Sequence, residues 1–133
     1  MSNTTAAARL TFSKQERLCG KLRIETVVKQ GKAINEPPFR LIGLPMEMPR
    51  GVQAQITFAV PKRNVPLAVD RNRTKRRMRE AYRLEKPAVF TELKQRNLNL
   101  AWLFVYQGRA VPTWDNTRHK ISRCIHRWLQ VHG

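Results

Sequence analysis

The chain has 133 residues, of which 41% are hydrophobic, so it can form one compact core but is short for two domains. It carries 26 Lys and Arg against 9 Asp and Glu, a formal net charge of +17, and this excess of cations predicts a polyanionic partner. No apolar run approaches the roughly 20 residues that span a bilayer, and the N-terminus lacks the basic-then-apolar order of a signal sequence, so we expect a cytoplasmic protein with no membrane partner.

The cysteines and histidines show no spacing typical of a metal site or a disulfide framework. Cys19 and Cys124 lie far apart and outside any CxxC pair, so we expect both to be buried structural thiols. The histidines fall near the C-terminus without paired ligand spacing: His119, His126 and His132. The acids are scattered, and the sequence lacks a glycine-rich phosphate loop and a recognisable nucleophile motif. We therefore predict no catalytic residues, no metal ligands and no cofactor bound by this chain.

The N-terminal part is predicted to hold a polar tail and one helix. Residues 1–9 are small and polar without periodicity, and we expect them to be disordered, with residues 10–133 forming a single domain. The capping-box pattern Ser13-Lys14-Gln15-Glu16 indicates a helix start. The main first helix is predicted over about Lys21 to Gln30, with Gly31 in the left-handed conformation just past its end. Its apolar stripe comprises Ile24, Val27 and Val28.

Three later segments have the composition of β-strands. Phe39–Leu44 is short and apolar, and Val52–Val60 alternates apolar residues with small or polar ones. Leu100–Tyr106 is almost continuously apolar, which is typical of a central strand. The polar face of the second strand carries Gln53, Gln55 and Thr57, and it fits either a solvated surface or the floor of a binding groove.

The stretch from Lys62 to Arg83 combines a high density of cations with amphipathic order. On a helix, one side would be formed by Thr74, Met78, Ala81, Tyr82 and Val89, and the opposite side by Asn72, Arg76, Arg79 and Arg83. The acids in and just after this stretch are Asp70, Glu80 and Glu85. A basic helix face is often merely solvated, but here the like charges would repel one another unless a polyanion neutralised them. We predict a folded surface for phosphate groups, followed by a linker with a helical turn at Ala88–Lys94.

The C-terminal segment has the clearest helical periodicity. Apolar residues recur at i, i+3, i+4, i+7 and i+8: Ile121, Cys124, Ile125, Trp128 and Leu129. This stripe indicates core packing, and either Thr113 or Asp115 can cap the helix start. The predicted order of elements is αββαβα, which indicates an α+β fold built as a small two-layer sandwich.

Three motifs, in this order, resemble the protein component of bacterial ribonuclease P. They are Val60-Pro61-Lys62-Arg63-Asn64-Val65, Arg71-Asn72-Arg73-Thr74-Lys75-Arg76 and Arg79-Glu80-Ala81-Tyr82-Arg83. Upstream, Glu16-Arg17-Leu18, Lys29-Gln30-Gly31 and Phe39 fit the same family, so the resemblance extends from about Leu10 to Leu129. It implies a small α+β domain with a left-handed βαβ crossover, of the kind shared with part of a ribosomal protein, although right-handed crossovers are the general rule.

The resemblance also implies a division of labour between protein and RNA. In this family a large RNA is the catalyst and holds the hydrolytic Mg²⁺ ions, while the protein helps to bind precursor tRNA and assists removal of its 5′ leader. The implied partners are ribonuclease P RNA and precursor tRNA, with no obligate protein partner. The residues implied to contact RNA are Lys62, Arg63, Arg71, Asn72, Arg73, Lys75, Arg76, Arg79 and, further along the same helix, Arg83.

A second surface implied by the resemblance is a cleft for the single-stranded leader, between the first helix and the open sheet face. The corresponding residues here are Ile24, Val28, Phe39, Gln53, Gln55 and Thr57. Family members often place aromatic residues where this chain has Ile24 and Val28, and aliphatic side chains offer no π face for stacking. Core packing is an equally open role for Ile24, Val28 and Phe39.

Other classes of basic protein are also compatible with the charge. A ribosome-associated or RNA-chaperone protein would share the cations and the small fold. A DNA-binding regulator would ordinarily show two helices joined by a short turn, whereas the basic helix here is predicted between strands. A self-sufficient nuclease would need a catalytic centre that the scattered acids do not supply.

Overall fold

Residues 14–133 of the computed structural model form three α-helices and one four-stranded sheet. In chain order the elements are a 3-10 turn (Lys14–Glu16), α1 (Lys21–Gln30), β1 (Lys32–Glu36), β2 (Phe39–Pro45), β3 (Ala54–Ala59), α2 (Ala68–Gln95), β4 (Leu100–Tyr106) and α3 (Trp114–His132). The predicted tail at 1–9 and Ser13 of the predicted capping box lie outside these residues. No helix within 14–133 is both long enough and apolar enough to cross a membrane.

The strands lie in the order β1-β2-β4-β3. The pairs β1–β2 and β2–β4 are antiparallel, whereas β3 and β4 are parallel. β4 therefore has a neighbour on each side, which confirms its prediction as a central strand and explains its continuous apolar run. The connection from β3 through α2 to β4 is the βαβ crossover for which the resemblance implies a left-handed sense.

Strand β1 is absent from the predicted order αββαβα, so the observed order is αβββαβα. β1 is an edge strand whose residues Lys32–Glu36 pair with β2 from Lys32 opposite Gly43 to Glu36 opposite Phe39. Its single large apolar residue, Ile34, is too weak a periodic signal to identify a strand from the sequence. Pairing with β2, rather than local composition, makes this segment extended.

The helices cover the two faces of the sheet unequally. On one face α2 and α3 enclose the main core, which includes Phe39, Leu41, Ile56, Trp102 and Phe104. On the opposite face, which we call the α1 face, Leu18 and Val27 pack on Ile42, Ala101 and Leu103. The predicted two-layer sandwich describes the first face, and α1 adds a partial layer on the second.

Helix α2 is continuous over 28 residues and includes Pro87. The helical turn predicted at Ala88–Lys94 is confirmed, but the linker predicted around it is wrong, because these residues continue α2 and bury Val89 and Leu93 in the main core. Tertiary packing of that apolar stripe outweighs the local disadvantage of a proline. The predicted inward residues are confirmed as buried: Thr74, Met78, Ala81, Tyr82 and Val89.

Smaller predictions have mixed outcomes. Thr113 is the cap of α3, since its hydroxyl accepts from the Asn116 amide at 3.2 Å. Gly31 follows α1 as predicted but has extended backbone (φ −71°), and glycine is required there because a Cβ would lie 2.4 Å from the Val27 carbonyl oxygen. Cys124 is buried, and burial raises the pKa of its thiol to about 12. Cys19 is exposed, so its predicted burial is wrong.

Candidate nucleic-acid interface

The basic motif forms an exposed surface over the loop before α2 and the first half of that helix. Lys75 is half-buried, whereas the other residues at the centre of this surface are exposed: Lys62, Arg63, Asn72, Arg73, Arg76 and Arg79. The core lies on the opposite side of α2, so the predicted helical phase is confirmed. We call this exposed set, together with Lys75, the α2 basic face.

Arg71 has a role that the sequence did not indicate. Its Nη1 donates to the carbonyl oxygens of Val65 at 3.0 Å and Pro66 at 2.6 Å, so the guanidinium ties the β3–α2 loop to the helix. These bonds hold the loop segment that carries Lys62 and Arg63 beside the first turn of α2. The structure thus places Arg71 as a positioning residue of the basic face.

Arg83 is half-buried and forms an ion pair within its own helix. Its Nε donates to Glu80 Oε2 at 3.0 Å and its Nη2 donates to Glu80 Oε1 at 2.5 Å. The hydrogen bond from Arg83 holds the pKa of the Glu80 carboxyl below its ordinary value. Arg83 was predicted to contact RNA, but the neighbouring Glu80 carboxylate largely neutralises its charge.

A cleft of about 250 Å³ opens between the first turns of α2 and the start of α3. We call it the Trp114 cleft; its lining residues are Arg73, Arg76, Arg77, Glu80 and Trp114. Arg77 also donates through Nη1 to the Pro112 carbonyl oxygen and so links the two helices. Arg77 and Trp114 were not predicted from the sequence, because Arg77 lies between the two predicted helix faces and Trp114 lies before the apolar stripe of α3.

Beneath the basic face, α2 carries a buried cation. Lys86 is 1% exposed, and its Nζ lies 3.0 Å and 2.7 Å from the two carboxylate oxygens of Glu16. This ion pair fixes the segment before α1 to the back of α2. The position of Lys86 four residues after Tyr82 could have indicated burial, but no local signal could identify a partner 70 residues earlier.

Of the residues predicted for the leader cleft, Phe39 lies apart from the others. Phe39 is fully buried on the face that packs against α3, with its ring centroid 5.3 Å from that of Tyr106, so its prediction as a cleft residue is wrong. Ile24 is half-buried and packs within the cluster under α1. Val28 is 54% exposed on the outer part of α1. The alternation of side chains along β2 places Phe39 on the opposite face of the sheet.

Gln55 is buried rather than open to solvent. Its Oε1 accepts from Arg23 Nη2 at 2.9 Å, and its Nε2 donates to the Gln15 carbonyl oxygen at 2.9 Å. It therefore joins α1 and the preceding segment to the sheet. Gln53 and Thr57, on the same strand face, are half-buried.

A more open part of the α1 face lies toward the end of β3. Ala59, Val105 and Arg40 are register neighbours across three strands, and all three are half-buried. The chain continues from Ala59 to Lys62 and Arg63 of the basic face. The Ala59 end of this half-buried row therefore lies three residues before the basic face along the chain.

Several carboxylates of the described part of the chain are engaged with cations. Glu36 lies 3.0 Å from Arg123 Nε, and Glu92 lies 2.8 Å from Arg96 Nη2. Within residues 14–133, no three His, Cys, Asp or Glu side chains gather as they would around a metal ion. The chemistry that this surface supports is binding of anions.

Comparisons with known proteins also point to an RNA-binding family. The family model described as Ribonuclease P matches residues 12–128. The ribonuclease P protein component of Chlorobium phaeobacteroides is 43% identical over 84 residues, and this match spans 58% of each protein. The corresponding protein of Porphyromonas gingivalis is 30% identical over 123 residues, which cover 92% of this chain and 90% of that protein.

The fold is also similar to that of a solved ribonuclease P protein. The Staphylococcus aureus ribonuclease P protein superposes with a TM-score of 0.70, covering 86% of this chain and 95% of that chain at 16% identity. At this identity the likeness shows a shared fold. The family model carries the assignment further, because its match includes the whole basic face, the α1 face and most of α3. The chain therefore belongs to the family of ribonuclease P protein components.

Proposed function

We propose that this chain is the protein subunit of a ribonuclease P ribonucleoprotein, in which it binds the catalytic RNA through the α2 basic face and assists removal of the 5′ leader from precursor tRNA. The observation that carries the proposal is the placement of exposed Arg and Lys side chains on one side of a helix whose other side is anchored in the core. A ribosome-associated or RNA-chaperone role, which the sequence left open, has no support from the relatives named above.

The chemistry of the α2 basic face suits an RNA backbone. Arg guanidinium groups can donate two parallel hydrogen bonds to phosphate oxygens, whereas Lys acts as a point charge. Each neutralised phosphate releases counterions, so binding is expected to weaken steeply with salt. Because the major groove of A-form RNA hides the base edges, such a helix recognises mainly RNA shape and phosphates.

The proposal assigns the hydrolytic Mg²⁺ ions to the RNA partner. Two carboxylates near the α2 basic face are held by protein cations, Glu80 by Arg83 and Glu16 by Lys86. The part played by the protein is then to bind both RNAs and to reduce the Mg²⁺ concentration that they need, because its cations supply part of the charge screening.

For the leader, we assign the row formed by Arg40, Val105 and Ala59 on the α1 face, together with the exposed Val28 of α1. Arg40 supplies a cation there, and the two aliphatic residues supply apolar contact for bases or riboses. This placement replaces Phe39 and Gln55, whose side chains are occupied in the core and in hydrogen bonds.

The test is reconstitution with the cognate ribonuclease P RNA. At low Mg²⁺ the protein is expected to stimulate cleavage of precursor tRNA by that RNA and to cleave nothing alone. A double variant, Arg76→Ala with Arg79→Ala, should lose most of the stimulation while melting at the same temperature as the parent. Strong cleavage by protein freed of RNA, or full stimulation by the double variant, would contradict the proposal.

A further inference from the structure

The Trp114 cleft has the dimensions of a site for one small planar group. Its volume of about 250 Å³ lies just below the roughly 300 to 1,000 Å³ of sites for drug-sized ligands. The two helices that carry its lining pack on each other and on the sheet, so the positions of their backbones are fixed by the core. A volume of about 250 Å³ can accommodate a single nucleobase.

Trp114 differs from the other two tryptophans of the chain. Trp102 and Trp128 are fully buried in the core, whereas Trp114 is half-buried, with part of its side chain packed on the core and part lining the cleft. Arg77 holds the Pro112 carbonyl oxygen, two residues before Trp114, and so fixes the start of α3 against α2. The backbone that carries Trp114 is thereby held beside the cleft.

The polar lining has one acceptor among several cations. Arg83 binds both carboxylate oxygens of Glu80, which orients that carboxylate. Each carboxylate oxygen has a further lone pair and can accept a second hydrogen bond. Arg73 and Arg76 bring positive charge to the opening, where a phosphate would lie.

We infer that the Trp114 cleft binds one unstacked nucleotide of an RNA partner. The base lies against the Trp114 indole and donates to Glu80, and its phosphate lies between Arg73 and Arg76. Unpaired bases are recognised in this way elsewhere, by stacking on aromatic rings and by hydrogen bonds to base edges. The inference rests on the proposed RNA-binding function and adds to it a site that reads a base. The nucleotide comes either from the ribonuclease P RNA or from precursor tRNA.

Two substitutions of Trp114 test the stacking. Trp114→Leu keeps an apolar side chain without a π face, and Trp114→Phe keeps an aromatic ring as the matched control. Affinity is measured separately for the ribonuclease P RNA and, with the assembled holoenzyme, for precursor tRNA, over a range of salt. Trp114→Leu should weaken binding of the RNA that supplies the nucleotide by roughly 5- to 150-fold, with an unchanged salt slope, and Trp114→Phe should retain most of the affinity.

A measurement on the unsubstituted protein covers the case in which Trp114→Leu is poorly folded. The holoenzyme is irradiated with ultraviolet light in the presence of precursor tRNA, and peptides cross-linked to nucleotides are identified by mass spectrometry. A cross-link from Trp114 to one unpaired nucleotide supports the inference, and the sequence of that nucleotide's RNA names the source. Cross-links confined to peptides of the α2 basic face, with none from Trp114, would overturn it.

A variant outside the cleft separates the two proposals. Arg79 belongs to the α2 basic face but does not line the cleft. If Arg79→Ala weakens RNA binding and Trp114→Leu, correctly folded, binds both RNAs as the parent does, the cleft inference fails and the proposed function stands. If the Arg79→Ala protein and the Arg76→Ala protein both bind as the parent does, the proposed function itself fails. Displacement of RNA by poly-glutamate from the parent, but not from Trp114→Leu, would also overturn the inference, in favour of an acidic protein ligand.

Discussion

The surfaces of α2 and α3 both carry many cations, yet the groups that face these cations differ. On α3, three cations converge on the Glu36 carboxylate of β1, which is 6% exposed. Arg123 Nε lies 3.0 Å and Lys120 Nζ 3.8 Å from Glu36 Oε1, and Arg127 donates to Oε2. The α3 cations therefore hold an edge strand to a helix.

On α2, the corresponding carboxylate is committed elsewhere. Glu80 binds Arg83, so Arg73, Arg76 and Arg79 project from the helix as a surface of positive charge. The difference between the helices teaches that cation density along a sequence does not by itself identify an RNA-binding face. What decides is whether the fold brings a carboxylate from another element to those cations.

The largest expected effect concerns Lys86, the one α2 cation described above as fully withdrawn from water. Glu16→Gln should lower the free energy of unfolding by about 3 to 5 kcal/mol, because it leaves a buried ammonium without its counter-charge. Urea unfolding measures this loss. The double variant Glu16→Leu with Lys86→Met should recover most of it, since both buried charges are then removed. A Glu16→Gln protein as stable as the parent would show that the pair contributes nothing.

The next effect concerns Glu36, the carboxylate to which the α3 cations bind. Glu36→Gln should destabilise the protein by about 1.5 to 3 kcal/mol, because charged hydrogen bonds to Arg127 and Arg123 are lost and their like charges are left together. Glu47→Gln, at an exposed position in the turn after β2, is the matched control and should change stability by less than about 0.5 kcal/mol. Equal stability of the two variants would exclude a structural role for the Glu36 cluster.

The stability that Glu36 contributes should depend on pH. Burial raises the pKa of Glu36, but the hydrogen bond from Arg127 and the charges of Arg123, Arg127 and Lys120 together lower it below its ordinary value of 4.5. A lowered folded-state pKa contributes stability above 4.5 that is lost as the pH falls through the lowered value. The stability difference between the parent and Glu36→Gln should therefore be constant above pH 5 or so and shrink below about 4.5. A difference that grows on acidification would contradict this sign.

A smaller effect is expected when a cation of the α2 basic face is removed, and it is measured by RNA binding. Arg79→Ala should weaken binding of ribonuclease P RNA and reduce the slope of log affinity against log salt by roughly 0.7 to 0.9 for one lost phosphate contact. Arg123→Ala removes an equal charge from α3 and should change that slope less, because Glu36 already neutralises part of the charge there. Both variants are compared by titration at several salt concentrations. Equal slopes for the two variants would remove the distinction between the helices.

The smallest effect concerns Arg40 in the proposed leader row. Arg40→Ala should reduce the preference of the holoenzyme for precursor over mature tRNA by about 1.5-fold to fivefold, the effect of one surface charge contact. Arg50→Ala, an exposed cation in the turn before β3, is the control. Paired titrations with leader-bearing and leaderless tRNA measure the preference. An undiminished preference in Arg40→Ala, with unchanged affinity for the catalytic RNA, would place the leader elsewhere.

Much of this molecule could be predicted locally. The phases of α2 and α3, the limits of α1 and the central position of β4 all follow from the spacing of apolar residues, because a side chain's direction repeats every 3.6 residues in a helix and every two in a strand. The order of motifs from Lys62 to Arg83 was sufficient to identify the family. Charge alone indicated the class of partner.

Interactions between distant segments were decided only by the tertiary structure. β1 is extended because β2 pairs with it, Lys86 is buried because Glu16 reaches it, and the Trp114 cleft exists because α2 and α3 start side by side. Phe39 lies in the core, although the resemblance placed it in the leader cleft, because the pleat of β2 directs it away from α1. Periodicity fixes the direction of a side chain relative to its own element, but the groups that it meets depend on contacts between residues far apart in the chain, and only the packed fold brings those together.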